Sequence, residues 1–246
     1  MFRGVNPSME VLGRARIVDR DHQILKLCYE QKFITLEHVE SFFPARSAKF
    51  AASRRVGLLR GAGLLKVVQS PMLKRYFILT LTKLGEAYVT QKLSIEIDNN
   101  LKPLQSTLAH DSIVTSVRLK LVSLLPNSKW LPERALKLMS LEHLPDGILK
   151  VSHDEFIVIE VENSIKWSQR YRSLMNTDWS CIPQITTVLY IATNENISRA
   201  ISASLYSASD RPSYGVMNLS DLNSNRLEFV DKKRQILSLS RFKAAS

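Results

Sequence analysis

The sequence predicts a mixed α/β (α+β) protein in two parts: a helical N-terminal unit closed by a β-hairpin, then a mixed sheet flanked by helices. Three observations lead there. Helical periods over residues 19–60 give way to two short strand-like runs over 64–79. Asp98-Asn99-Asn100 and Pro103 then interrupt the chain. Beyond them helical and strand-like segments alternate, the pattern of a sheet with helices packed on it.

Residues 1–18 read as a basic lead-in. From Asp19 the apolar residues Ile24, Leu25, Leu27 and Cys28 make a helical stripe, with Asp19 and Asp21 favouring the start. Thr35 is an N-cap for a second helix to Glu40, although His38 stands where a capping box needs Glu or Gln. Phe42-Phe43-Pro44 end it, and a third helix spans about Ala45 to Arg60, stopped by Gly61 and Gly63. Leu64–Gln69 and Arg75–Leu79 form a hairpin around Ser70–Lys74, and a closing helix begins at Thr82. Three helices, a hairpin and a closing helix describe a winged helix-turn-helix over 19–92, followed by a linker over 93–105. In the second part, 106–222, a helix over Ser106–Leu125 turns His110, Val114, Val117, Leu121 and Leu124 to one face. Strands follow at Trp130–Leu138, Leu144–Val151 and Phe156–Glu162, then a helix over Ser164–Asn176. Ile185–Ala192 is a strand, Ser198–Ser207 a helix and Tyr214–Leu219 a strand. The extension 223–246 carries a strand at Arg226–Val230 and the basic run Lys232-Lys233-Arg234.

Composition narrows the function classes. Thirty-four Lys and Arg against 23 Asp and Glu leave a net charge of +11 over 246 residues. Such a surplus points to a polyanion, most simply nucleic acid. Two cysteines without CxxC or Cys/His spacing argue against a disulfide framework and structural zinc, and suit a reducing cytoplasm. No apolar run has signal-peptide or membrane-spanning length, so no membrane insertion is expected.

The chemistry concentrates in Leu144-Pro-Asp-Gly-Ile-Leu-Lys150, Phe156-Ile-Val-Ile-Glu-Val-Glu162 and Lys166. Glu160 and Glu162 share one strand face. If 151–155 is a hairpin tip, Lys150 faces Phe156, Ile148 faces Val158 and Asp146 faces Glu160. Cross-strand partners have Cβ atoms about 4.5–5.5 Å apart, close enough for two carboxylates to hold one Mg²⁺ or Mn²⁺. Carboxylates so close repel unless a cation, proton or base shares the site. Glu162 joins the metal set, Lys166 orients water or offsets phosphate charge, and Glu133 supports the acids. Bland readings stand beside these: turn chemistry for Asp146-Gly147, a helix-entry ion pair for Glu162 and Lys166, a solvated Glu133, a core His110.

Pro145-Asp146 followed by Glu160-Val161-Glu162 resembles the PD-(D/E)xK nuclease pattern, with Glu162 at the usual lysine position and Lys166 offering the cation from the next helix. The wider set His110-Asp111, Trp130-x-x-Glu133, Pro145-Asp-Gly147, Glu160-Val-Glu162 and Lys166 resembles the replication-relaxation family, which includes MOBC-class plasmid mobilisation relaxases. That resemblance implies a restriction-endonuclease-like sheet and a metal-dependent relaxase that nicks one strand at a plasmid transfer origin. It also implies relaxosome accessory and coupling proteins as partners. A non-catalytic winged-helix regulator of plasmid or phage replication or transcription, with a degenerate nuclease fold, is the alternative. An endonuclease cutting both strands is a third.

The third helix places Arg46, Lys49 and Ser53 on one face, suited to the major groove of double-stranded DNA, with Arg54 and Arg55 in reach of bases or phosphates. Lys74 and Arg75 at the wing tip suit phosphate contacts. Around Lys166, Arg170 and Arg172 interleave with Trp167 and Tyr171, either a platform for exposed bases at a locally single-stranded cut site or core aromatics at helical spacing. Tyr171 and water are both candidate nucleophiles.

Overall fold

The computed structural model describes residues 11–12, 15–69, 77–93, 105–139, 141–166, 168–205, 208 and 212–243. It divides into two compact units, residues 1–108 and 109–246. Among the described residues no helix is long and apolar enough to cross a membrane.

The first unit opens with a two-residue ladder, β1 (Val11–Leu12) and β2 (Ala15–Arg16), inside the expected lead-in. Helix α1 (Asp19–Glu30) starts where the Asp21 carboxylate accepts the Val18 N–H at 2.8 Å. β3 (Ile34–Thr35) leads into α2 (Leu36–Glu40). Thr35 Oγ1 accepts the His38 N–H at 3.3 Å and His38 Nδ1 accepts the Thr35 N–H at 3.1 Å. Histidine thus closes the box that lacked Glu or Gln. Helix α3 (Ala48–Gly61) begins three residues later than expected, so Arg46 sits in the preceding turn. It buries Ala52, Val56 and Leu59, and Gly63 follows at φ +73°, the left-handed stop that glycine favours. β4 (Leu65–Gln69) and β5 (Phe77–Leu81) pair antiparallel, β3 joins the other edge of β5, and α4 (Lys83–Leu93) closes the unit. Lys74 and Arg75, the expected wing tip, lie outside the described residues, as does most of the expected linker.

The second unit is a seven-stranded mixed sheet between two helical layers. After a 3-10 turn, α5 (Leu108–Leu124) precedes β6 (Lys129–Pro132). The expected strand to Leu138 stops there. Pro132 offers no N–H to continue a ladder, and Glu133-Arg-Ala-Leu136 turns into the short helix α6, continued as 3-10 over Lys137–Met139. β7 (Gly147–Lys150) and β8 (Phe156–Glu162) follow, then α7 (Ser168–Met175), which starts four residues beyond the expected Ser164. β9 (Ile185–Ala192) matches its expected bounds. α8 (Glu195–Ser204) starts earlier than expected because Asn194 Oδ1 accepts the Ile197 N–H at 3.1 Å. β10 (Ser213–Asn218), α9 (Leu219–Asn223), β11 (Glu228–Asp231) and β12 (Ile236–Ser238) complete the chain.

The sheet order is β12-β11-β10-β9-β8-β7-β6, with β8, β9 and β10 parallel and the other neighbours antiparallel. Residues 223–246, set apart by composition, therefore supply the outer strands of this sheet. Its core joins Leu227, Phe229, Leu239 and Phe242 to Val114, Val117 and Leu121 of α5 on one face. On the other, Leu136, Tyr171, Met175, Ile197 and Ile201 cover Ile148, Val158 and Tyr190. β8, covered on both faces, is the strand that carries the acids.

Candidate functional site

The site forms where β7 ends beside β8. Gly147 pairs with Ile159, Ile148 with Val158 and Lys150 with Phe156, the register counted from the sequence. The ladder stops at Gly147, one residue short of Asp146. The Glu162 carbonyl accepts the Thr193 N–H at 3.0 Å, so the backbone of Glu162 faces β9. Alternation turns the N–H and C=O of Val161 to the β7 side, where no strand remains. Two side chains take the strand's place. Asp146 Oδ2 accepts the Val161 N–H at 2.7 Å, and His110 Nε2, reaching over from α5, donates to the Val161 carbonyl at 3.0 Å. A carboxylate and an imidazole thus stand at an open strand end with their partners fixed.

Each acid has a basic partner. His110 Nε2 lies 3.4 Å from Asp146 Oδ2, and its Nδ1 lies 3.4 Å from Asp111 Oδ1. Burial works against the charged imidazole, but hydrogen bonds to Asp111 and Asp146, the Asp146 charge and the Val161 carbonyl outweigh it and push its pKa up to about 10. His143 Nε2 lies 2.7 Å from Glu160 Oε1, and its ring meets Trp179 edge-on with centroids 6.2 Å apart. Burial pushes the Glu160 carboxyl up to about 7; the Asp146 charge adds to this, while His143 and Lys166 oppose it. His143 is itself raised, since Glu160 and Asp146 outweigh its burial. This pair holds a proton into the neutral range. Lys166 Nζ donates to Glu162 Oε1 at 2.5 Å, and Glu162 is 1% exposed. Burial raises the Glu162 carboxyl and Lys166 pulls it back.

Asp146, Glu160, Glu162 and Lys166 are therefore brought to the end of β8. Lys166 reaches it from the loop before α7 rather than from a helix, so the pair is not a helical i,i+4 contact. Glu133 does not sit as expected: it opens α6 and pairs with Lys137 at 3.7 Å. Tyr171 is core, 1% exposed, with its hydroxyl accepting the Lys166 N–H at 3.2 Å. That removes it as an accessible nucleophile. Trp167 lies outside the described residues, while Arg170 and Arg172 are exposed on α7. His143 was missed, though its place three residues before Asp146 was a cue.

Among the described residues no group of three or more His, Cys, Asp and Glu side chains is arranged to hold a metal ion. The three-carboxylate metal site Asp146, Glu160 and Glu162 is accordingly not found. Two of the acids keep an oxygen to spare. Asp146 and Glu160 each commit one oxygen to a protein partner, and among the described residues nothing hydrogen-bonds to Asp146 Oδ1 or Glu160 Oε2. Two hard oxygen donors that repel one another suit Mg²⁺ or Mn²⁺, ions commonly held by one or two carboxylates with water and phosphate.

In the first unit, Lys49, Ser53 and Arg54 are exposed on α3, and Arg46 is exposed just before it. Arg55 differs. Its Nε donates to Asp21 Oδ1 at 2.5 Å, and its Nη2 bonds both Asp21 Oδ2 and, at 2.6 Å, the Arg16 carbonyl. Asp21 is fully buried, so Arg55 compensates an interior charge and is not presented to a groove. Set against protein-family models, curated proteins and solved structures, the chain matches none of them.

Proposed function

We propose that this chain is a metal-dependent, site- and strand-specific DNA-nicking enzyme, a relaxase that opens a plasmid transfer origin and starts conjugative mobilisation. The observation that carries this reading is the convergence of Asp146, Glu160, Glu162, Lys166 and two histidines at the open end of β8. The first unit is read as a winged helix-turn-helix, consistent with its order α1-β3-α2-α3-β4-β5-α4 and sheet order β3-β5-β4. The second is read as a PD-(D/E)xK-like nuclease. Its substrate is double-stranded DNA with local single-strand character at the cut, its setting the cytoplasm, and its partners relaxosome accessory and coupling proteins.

Asp146 and Glu160 would hold Mg²⁺ or Mn²⁺. The bound ion supplies Lewis-acid stabilisation of phosphate charge and a more acidic water. The protein does the rest. His143 orients Glu160, and the Val161 N–H orients Asp146. Glu162, buried behind the site, holds the Lys166 ammonium in place, and the two together position the nucleophile and phosphate. Lys166 and protonated His110 set two positive charges where the scissile phosphate gains negative charge.

Supercoiled plasmid carrying its own transfer origin tests this, incubated with Mg²⁺, Mn²⁺ or chelator beside Asp146→Ala. Open circles that need metal and vanish in the variant support a nickase; origin binding without nicking in any metal sinks it. One observation favours the second reading, a non-catalytic DNA-binding regulator: every acid of the cluster already has a basic protein partner, as a retired nuclease site would.

A further inference from the structure

Helix α3 leaves Lys49, Phe50, Ser53, Arg54, Gly57 and Arg60 exposed. Phe50 is 78% exposed, the most exposed of the large hydrophobic side chains described. A phenyl ring held in water within a helix that contains no acid is free to meet a partner. Building on the reading of the first unit as a duplex-DNA binder, we infer that Phe50 is a specificity determinant that packs against the 5-methyl group of a thymine in the major groove.

The surroundings select the partner. Lys49 precedes Phe50 and Arg54 lies one helical turn beyond it, so the ring is framed by cations. An apolar protein surface would have to desolvate those charges, whereas a polyanion neutralises them. The B-DNA major groove admits an α-helix and the minor groove does not. Within the major groove the thymine methyl is the apolar group that base edges present, beside guanine acceptors suited to Arg54. Glu37 and Glu40 of α2 line a cavity of about 820 Å³ with Lys49, Ser53 and Arg60, whereas Phe50 and Arg54 are not among its lining residues. At Gly57, seven residues on, an added Cβ would meet nothing within 4 Å, so the helix surface is open there.

The test uses the full chain and a randomised duplex library, from which the bound sequence is selected. Each dT of the selected duplex is then replaced by dU, which deletes only the methyl group, and Kd is measured by fluorescence anisotropy. For the wild type, one replacement is expected to weaken binding about four-fold, the value of one buried methyl. Phe50→Ala is expected to bind dT and dU at that position equally, and Phe50→Leu to keep part of the difference. Unchanged far-UV circular dichroism and Tm confirm that these exposed-site variants fold. If no dU replacement weakens the wild type, or if Phe50→Ala retains the same penalty, the role of Phe50 is overturned while selective DNA binding stands. If the full chain selects no sequence at all, the DNA-reading assignment fails and the inference falls with it.

Discussion

Gly147→Ala is expected to destabilise the second unit through a clash with Trp130. A Cβ at this position would lie 2.1 Å from Trp130 Cζ2, 2.4 Å from Cε2 and 2.9 Å from Cη2. Carbon atoms in contact settle about 3.5–4.0 Å apart, so the indole would have to retreat by roughly 1.4 Å. It has little room, since Trp130 is 5% exposed in the core with Val114, Val117, Leu121 and Leu149. Overpacking of this kind costs about 1–3 kcal/mol, and a rigid bicyclic ring pinned by a backbone atom belongs near 3. For a unit of this size that lowers Tm by roughly 6–12 °C. All three tryptophans, at 130, 167 and 179, lie in this unit, so intrinsic fluorescence during urea or thermal unfolding follows it selectively. Trp130→Leu removes the clashing ring, so Gly147→Ala added to it should cost about 1–2 kcal/mol less than in the wild type. A Gly147→Ala protein within about 0.5 kcal/mol of wild type, or costs that simply add in the double variant, would refute the reasoning.

Four further outcomes follow from the structure. In chelator, the protonated His110 stabilises the fold fully below its ordinary 6.5, and that stabilisation is lost as pH rises towards 10; Glu160, also raised, begins to oppose folding as pH climbs from 4.5 towards 7. Tm should therefore fall with rising pH, and His110→Gln should flatten the upper part of the curve; an unaltered slope in that variant contradicts the assignment. Arg55→Ala should cost the first unit about 3–5 kcal/mol by stranding buried Asp21, measured by circular dichroism, whereas Arg54→Ala should leave stability nearly intact and reduce the salt dependence of duplex binding by about one unit of slope. Mn²⁺ at about one hundred times its Kd should stabilise the second unit by roughly 2.7 kcal/mol, and an equal gain in Asp146→Ala would exclude Asp146 as a ligand. Gly57→Ala should stabilise α3 by up to about 1 kcal/mol in unfolding, because its Cβ meets no neighbour.

Gly147 also shows where reading a sequence stops. Pro145-Asp146-Gly147 looks like turn chemistry, yet only Gly63 among the described glycines has positive φ, so no turn demands glycine at 147. Its reason is an indole seventeen residues earlier in the chain, and nothing local records that approach. The same limit explains His143, whose contact with Glu160 crosses a loop and a strand. It explains Arg55 too, which reads as one more groove-facing cation until Asp21 is found beneath it.

By itself the sequence determined β9 and the β7–β8 alignment, whereas it ran β6 six residues too far and missed β3 and β12. β9 was bounded to the residue, because a run of β-branched and aromatic side chains between turns admits little else. The β7–β8 register followed from arithmetic, since antiparallel partners keep a constant index sum. That brought Asp146, one residue beyond the ladder, beside the end of β8. Tertiary structure alone decided the state of the acids: His110 arrives from a helix before β6, His143 from a loop and Lys166 from another, and burial raises the Glu160 and Glu162 carboxyls while these bases pull them back. Alternation is a property of neighbouring residues, whereas desolvation and charge pairing depend on whatever the folded chain brings alongside.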